Sequence, residues 1–100
     1  MPAYLVADIE VLDPERYGRY HPLAASAIGR YGGRVLAGPD GMAAVEGVGS
    51  ASRWVIVEFD TFEQGQRFHG SPEYQAATAV RGDSAIIRMV LLRGVEEARP

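Results

Sequence analysis

The 100-residue sequence predicts an α+β fold: a four-stranded antiparallel sheet with helices on one face, in the ferredoxin-like split βαβ order. Three observations predict it. Segments 3–11, 53–59 and 85–93 alternate with period two, the mark of strands with two different faces. Between them lie segments of helical period, each opened by a capping residue. Turn-forming glycines separate the units.

The elements follow in order. In AYLVADIEV, Leu5, Ala7, Ile9 and Val11 share one parity, and Tyr4, Val6, Asp8 and Glu10 the other. Asp13-Pro14-Glu15 starts a helix, with Asp13 as N-cap and Pro14 where its missing donor costs nothing. Its stripe of Tyr17, Tyr20, Ala24, Ala27, Ile28 and Tyr31 follows one helical face. Pro22 is expected to kink or divide that helix near Tyr20–His21. Gly32-Gly33 supplies the left-handed stop.

A short strand, 34–38, precedes the turn Pro39-Asp40-Gly41, and 42–46 is expected to return as the other arm of a hairpin. RWVIVEF, 53–59, is a strong strand. Thr61 to Gln64 fits a capping box, with Gln64 reaching back to Thr61. That helix stops near Gly70, and Ser71-Pro72-Glu73 opens another through about Val80. AIIRMVLLR, 85–93, is the last strand. One domain over 1–95 is expected, with 96–100 a frayed tail.

Strand parity also predicts a partner. If helices cover the side of Leu5, Ala7, Ile9, Val55, Val57, Phe59, Ile87, Met89 and Leu91, the opposite side carries Trp54, Ile56, Ile86, Val90 and Leu92. So large an apolar patch is rarely left in water. A second copy packing sheet to sheet would cover it, making a homodimer.

Composition narrows the function. The net charge is −3, and all ten basic residues are arginines scattered from Arg16 to Arg99. No basic stripe exists for a phosphate backbone, so no nucleic-acid partner is expected. Cysteine is absent, which excludes disulfides and thiolate metal sites. Asp8 and Glu10 interrupt the opening segment where a signal peptide needs an unbroken apolar run, and no stretch is apolar enough to span a bilayer. A cytoplasmic protein without a membrane partner is the expectation.

Taken together, several segments resemble one family. They are Tyr4 to Val11 before Asp13-Pro14-Glu15, Tyr31-Gly32-Gly33-Arg34, Glu46-Gly47, Val55–Phe59 leading into Phe62, and Ser71-Pro72-Glu73-Tyr74-Gln75 with Arg81. The chain resembles the uncharacterised family called domain of unknown function 1330 over nearly its whole length. The resemblance implies a dimeric α+β barrel. It also implies kinship with a superfamily holding cofactor-independent monooxygenases, isomerases, haem-degrading enzymes and stress-responsive proteins. Its sites usually lie between sheet and helices or near the dimer barrel. It supplies no established reaction and no catalytic residue. The Gly-rich loop 47–50 departs from the family pattern.

Candidate site residues divide into two groups. Tyr17, Tyr20, His21, Tyr74 and Arg81 are the first. Converging tyrosine hydroxyls can orient a small ligand, and a guanidinium can grip a carboxylate. Equally, the tyrosines can be core and Arg81 a structural helix-end pair. Asp8, Glu58, His69 and Arg88 are the second group. Asp8 and Glu58 could form a carboxylate pair with one raised pKa, or Arg88 could neutralise one of them as an ion pair. His21 and His69 suit proton transfer by residue type, but helix-end placement explains them as well. Their spacing offers no metal site, and neither metal nor cofactor is expected. Arg53 beside Trp54 suggests a cation–π stack. Gly47-Val48-Gly49 lacks the strand and helix of a phosphate loop.

These residues predict a small homodimer that binds a small, acidic metabolite or acts as a cofactor-independent enzyme. The alternative is a non-catalytic structural or interaction protein whose sheet face serves only dimerisation.

Overall fold

A computed structural model describes residues 1–49 and 51–96. The elements are β1 (Ala3–Val11), α1 (Pro14–Arg30), β2 (Arg34–Ala37), β3 (Arg53–Phe59), α2 (Phe62–His69), α3 (Pro72–Arg81) and β4 (Ala85–Arg93). The sheet order is β2-β3-β1-β4, antiparallel throughout, with β3 and β1 central as expected. From residue 97 on, the tail expected to fray lies outside the described residues.

The alternation does what it implies physically. Ala3, Leu5, Ala7 and Ile9 of β1 are buried under the helices with Val57 and Phe59 of β3. Phe59, Phe68 and Tyr74 stack in series, with ring centroids 5.4 and 4.8 Å apart, and tie α2 and α3 to the sheet. At Gly65 the backbone of α2 lies so close to β4 that a Cβ would stand 2.8 Å from Leu91 Cδ1. Gly65→Leu is therefore expected to cost about 1–3 kcal/mol through overpacking, despite the better helix propensity of Leu. Urea denaturation measures this; an unchanged midpoint would show that α2 can lift away freely.

The caps form from local chemistry. Asp13 Oδ1 accepts from Arg16 N at 3.3 Å, Thr61 Oγ1 from Gln64 N at 3.0 Å, and Ser71 Oγ from Tyr74 N at 3.1 Å. Gly32, at φ 79°, ends α1.

Three expectations fail. Pro22 does not divide α1, which runs unbroken from Pro14 to Arg30. The carbonyl that Pro22 leaves without a donor belongs to Gly18, and both residues lie on the exposed side, where water can satisfy it. Residues 42–46 form no strand. As the other arm of a hairpin they would join the free outer edge of β2, but β2 is only four residues long and exposed throughout, and Ala43-Ala44 has little strand preference. The capping box at Thr61 is only half made. The Gln64 amide turns away and donates to Tyr31 O at 2.6 Å, so it fastens α2 to the end of α1.

Candidate functional site

Small side chains on facing surfaces open a cavity between the sheet and α1. Ala7 on β1 and Ala24 and Ala25 on α1 stand where larger residues would meet. The space is about 280 Å³, just under the usual range for ligand cavities. Its floor is apolar, from Leu5, Ile9, Val55 and Val57, and Val35, Gly38 and Pro39 border it on the β2 side. Its polar groups come from Tyr17, Tyr20 and His21 of α1 and Tyr74 of α3. Four of the five first-group candidates thus share one wall.

Helical spacing explains the arrangement. Tyr17 and Tyr20 lie three residues apart on one face, with ring centroids 5.4 Å apart, and His21 completes the turn at 6.3 Å from Tyr17. Tyr20 Oη and Tyr74 Oη are 2.8 Å apart, and both are buried. Arg81 Nη1 donates to each at 3.3 Å, and its guanidinium carbon sits 5.0 Å from the Tyr20 ring centre. Burial raises the Tyr20 pKa far above the tyrosine range, reinforced by the bond to Tyr74. Burial also raises Tyr17, with Arg53 pulling the other way.

A proton count shows what this cluster can offer. Arg81 Nη1 donates to both oxygens. One tyrosine O–H is spent on the other tyrosine. Either hydroxyl can donate across the pair; with Tyr20 as that donor, the proton left on Tyr74 has only the Met89 sulfur at 3.9 Å. A thioether is a weak acceptor. The cavity wall therefore holds a strong donor in want of a better partner, backed by a cation.

Arg81 itself does not line this cavity. It reaches the tyrosines from behind and faces a second cleft with His69, Gln75 and Thr78. The expectation that Arg81 grips an acid beside Tyr17 and His21 is corrected accordingly: at the last position of α3 the guanidinium falls on the far side of Tyr74. Tyr31, the last member of the α1 stripe, does not line the cavity. It donates to Glu73 Oε1 at 2.7 Å, a bond that raises the Tyr31 pKa and lowers that of Glu73.

On the open sheet face, Asp8 and Glu58 do not meet. Asp8 stands opposite Trp54 and Glu58 opposite Tyr4, four positions apart along β1. Asp8 instead lies 3.6 Å from Arg88, its partner in register on β4, and Glu58 pairs with Arg34 at 2.9 Å. With Arg88 largely exposed, the first pair adds little stability. The described cation–π contacts are Arg81 on Tyr20 and Arg93 on Phe62, not Arg53 on Trp54. Among the described residues no group of three His, Asp or Glu could hold a metal. No described helix is long and apolar enough to cross a membrane.

Sequence reasoning missed Met89, Gln75 and Thr78, and above all the alanines that create the cavity. The Ala24-Ala25 pair was the available signal, but a missing side chain matters only once the facing surface is known.

The family described as a domain of unknown function, DUF1330, matches residues 2–95. The chain belongs to DUF1330. Its sequence has no match among curated proteins. Solved structures share its fold. A protein of unknown function from Rhodopseudomonas palustris aligns with TM-score 0.72 at 17% identity, over 96% of this chain and 84% of that one. SnoaB, a cofactor-independent oxygenase from Streptomyces nogalater, aligns with TM-score 0.67 at 12% identity, over 96% and 95%. Rv0793 of Mycobacterium tuberculosis aligns with TM-score 0.59 at 15% identity, over 99% and 100%. At these identities the likeness establishes a common ferredoxin-like α+β fold for this DUF1330 protein.

Proposed function

We propose that this DUF1330 protein is a homodimer that binds a small, mainly apolar molecule carrying one acceptor oxygen in the cavity between α1 and the sheet. The carrying observation is the Tyr74 hydroxyl, a strong donor left with only a thioether at the end of an apolar space. A carbonyl, enol or phenolate oxygen would satisfy it. The apolar floor would cover the rest of the molecule. A developing oxyanion would gain further from Arg81, which stands one hydrogen bond behind. The same geometry suits a cofactor-independent enzyme, a chemistry SnoaB performs on this fold. Dimerisation is supported by the apolar outer face of the sheet, where Trp54, Ile86, Val90 and Leu92 are all exposed in the single chain.

The neutral dye N-phenyl-1-naphthylamine tests the cavity. Saturable fluorescence enhancement is expected with the natural chain. Ala24→Trp places an indole in the space and is expected to weaken dye binding at least roughly tenfold, with unchanged circular dichroism. Equal enhancement in the variant would place the dye elsewhere and remove the proposed site.

A further inference from the structure

We infer that the second cleft, between the end of α2 and the outer side of α3, is a separate site for a short hydroxy- or amino-carboxylic acid. The cleft is about 370 Å³ and is lined by His69, Gln75, Thr78 and Arg81 over a floor of Ile87 and Met89. It shares Tyr74 and Met89 with the first cavity, and these two side chains separate the spaces.

Its charge is unbalanced. The other arginines with ion pairs, Arg16, Arg30, Arg34, Arg88 and Arg93, all meet carboxylates. Among the described residues Arg81 hydrogen-bonds the two neutral tyrosine hydroxyls and forms no ion pair. Asp83, the acid nearest in sequence, is taken by Arg16 at 3.4 Å. Partly buried cations ordinarily have an anionic partner. Arg81 Nη1 is committed to the tyrosines and Nε is sealed without a partner, which leaves Nη2 to meet a ligand. A carboxylate is the matching group for a guanidinium edge.

The remaining lining describes the rest of the ligand. Gln75 spends one of its two amide N–H groups on His69 O at 2.8 Å, and Thr78 spends its hydroxyl proton on the Gln75 backbone O at 2.8 Å. Thr78 then has no donor left, and beside the one N–H remaining on Gln75 these side chains still present acceptor oxygen. A hydroxyl or ammonium group beside the carboxylate would donate to it. Ile87 and Met89 would cover a short alkyl chain, which an inorganic anion lacks. The cleft lies on the helix side of the sheet, so a partner on the opposite face leaves it open.

The test is a titration followed by amide and guanidinium NMR shifts, using L-lactate and L-alanine, with chloride and inorganic phosphate at matched ionic strength. Saturable shifts at Arg81, Thr78 and Gln75 are expected with lactate or alanine only. Arg81→Gln should weaken them about tenfold or more, the usual scale of a lost charge-assisted bond. Thr78→Val, which keeps shape and cation, should weaken them less while leaving chloride unaffected. Equal shifts with all four solutes, or none that saturate, would overturn the site. So would a response unchanged in both variants. Dye binding in the first cavity is read separately, so either site can fail without the other.

Discussion

Ile56→Asp is expected to convert a dimer into a monomer, with light scattering showing half the mass at micromolar concentration. The register explains the choice. Val6 on β1 stands between Ile56 on β3 and Val90 on β4, so three aliphatic side chains form a row across the middle of the outer face. Val90, Leu92 and Ile86 are each about half exposed in the single chain, and Trp54 is 37% exposed. The charged pair Asp8–Arg88 lies to one side of this row and Glu58–Arg34 to the other, as a polar rim would. A two-fold contact repeats every substitution, so Ile56→Asp buries two carboxylates without partners. Each such burial costs several kcal/mol, against the roughly 8 kcal/mol that holds a micromolar dimer together. Arg19→Asp, exposed on α1, is the matched control and should leave the mass unchanged. Val90→Asp repeats the test from β4. A natural chain that is already monomeric, or an Ile56→Asp dimer of full mass, would remove this face from the account.

What was legible in the sequence was what depends on near neighbours. The bounds of β1, β3 and β4 follow from alternation, a property of each segment alone. The caps at Asp13, Thr61 and Ser71 follow from residue type within one turn. What was not legible depends on what the rest of the chain brings near. Residues 42–46 had a turn before them and a free outer edge on β2 to join, but both segments are exposed throughout, so no packing rewards the pairing. Gln64 had the right spacing for a capping box, yet the Tyr31 carbonyl, delivered by the chain reversal at Gly32, took its amide. Parity placed Asp8 and Glu58 on one face without saying how far apart the register would set them. Spacing placed Arg81 on the side of Tyr74, but only the packing of α1 on α3 decides that its guanidinium ends behind the hydroxyl pair. The cavity is the hardest case, since Ala7 and Ala24 signify a space only once β1 and α1 face each other.

Above pH 10 the stability of the natural chain is expected to fall steeply, and Tyr20 is the main cause. Its hydroxyl is buried, bonded to Tyr74 and held neutral, so its pKa in the folded chain lies far above the value of about 10 in the unfolded one. A group raised in this way contributes its stability below the unfolded pKa and loses it as pH climbs toward the folded value. Above pH 10 the unfolded chain sheds this proton while the folded chain keeps it. Stability then falls by about 1.4 kcal/mol per pH unit from this one residue. Tyr17, raised chiefly by burial, adds to the slope. Tyr31 adds less, because its bond to Glu73 lies near the surface, where solvent screens it. Tyr20→Phe separates these contributions. At pH 8 it should cost about 1–3 kcal/mol, since Tyr74 Oη and Arg81 Nη1 each lose a partner. Its alkaline slope should be shallower by about 1.4 kcal/mol per unit, so the two stability curves converge as pH rises. Urea unfolding from pH 8 to 11.5 at one protein concentration measures both, and absorbance at 295 nm reports when each tyrosine ionises. Parallel curves would mean that the Tyr20 proton exchanges freely in the folded chain. The sealed hydroxyl pair, and the donor it offers to the cavity, would then have to be abandoned.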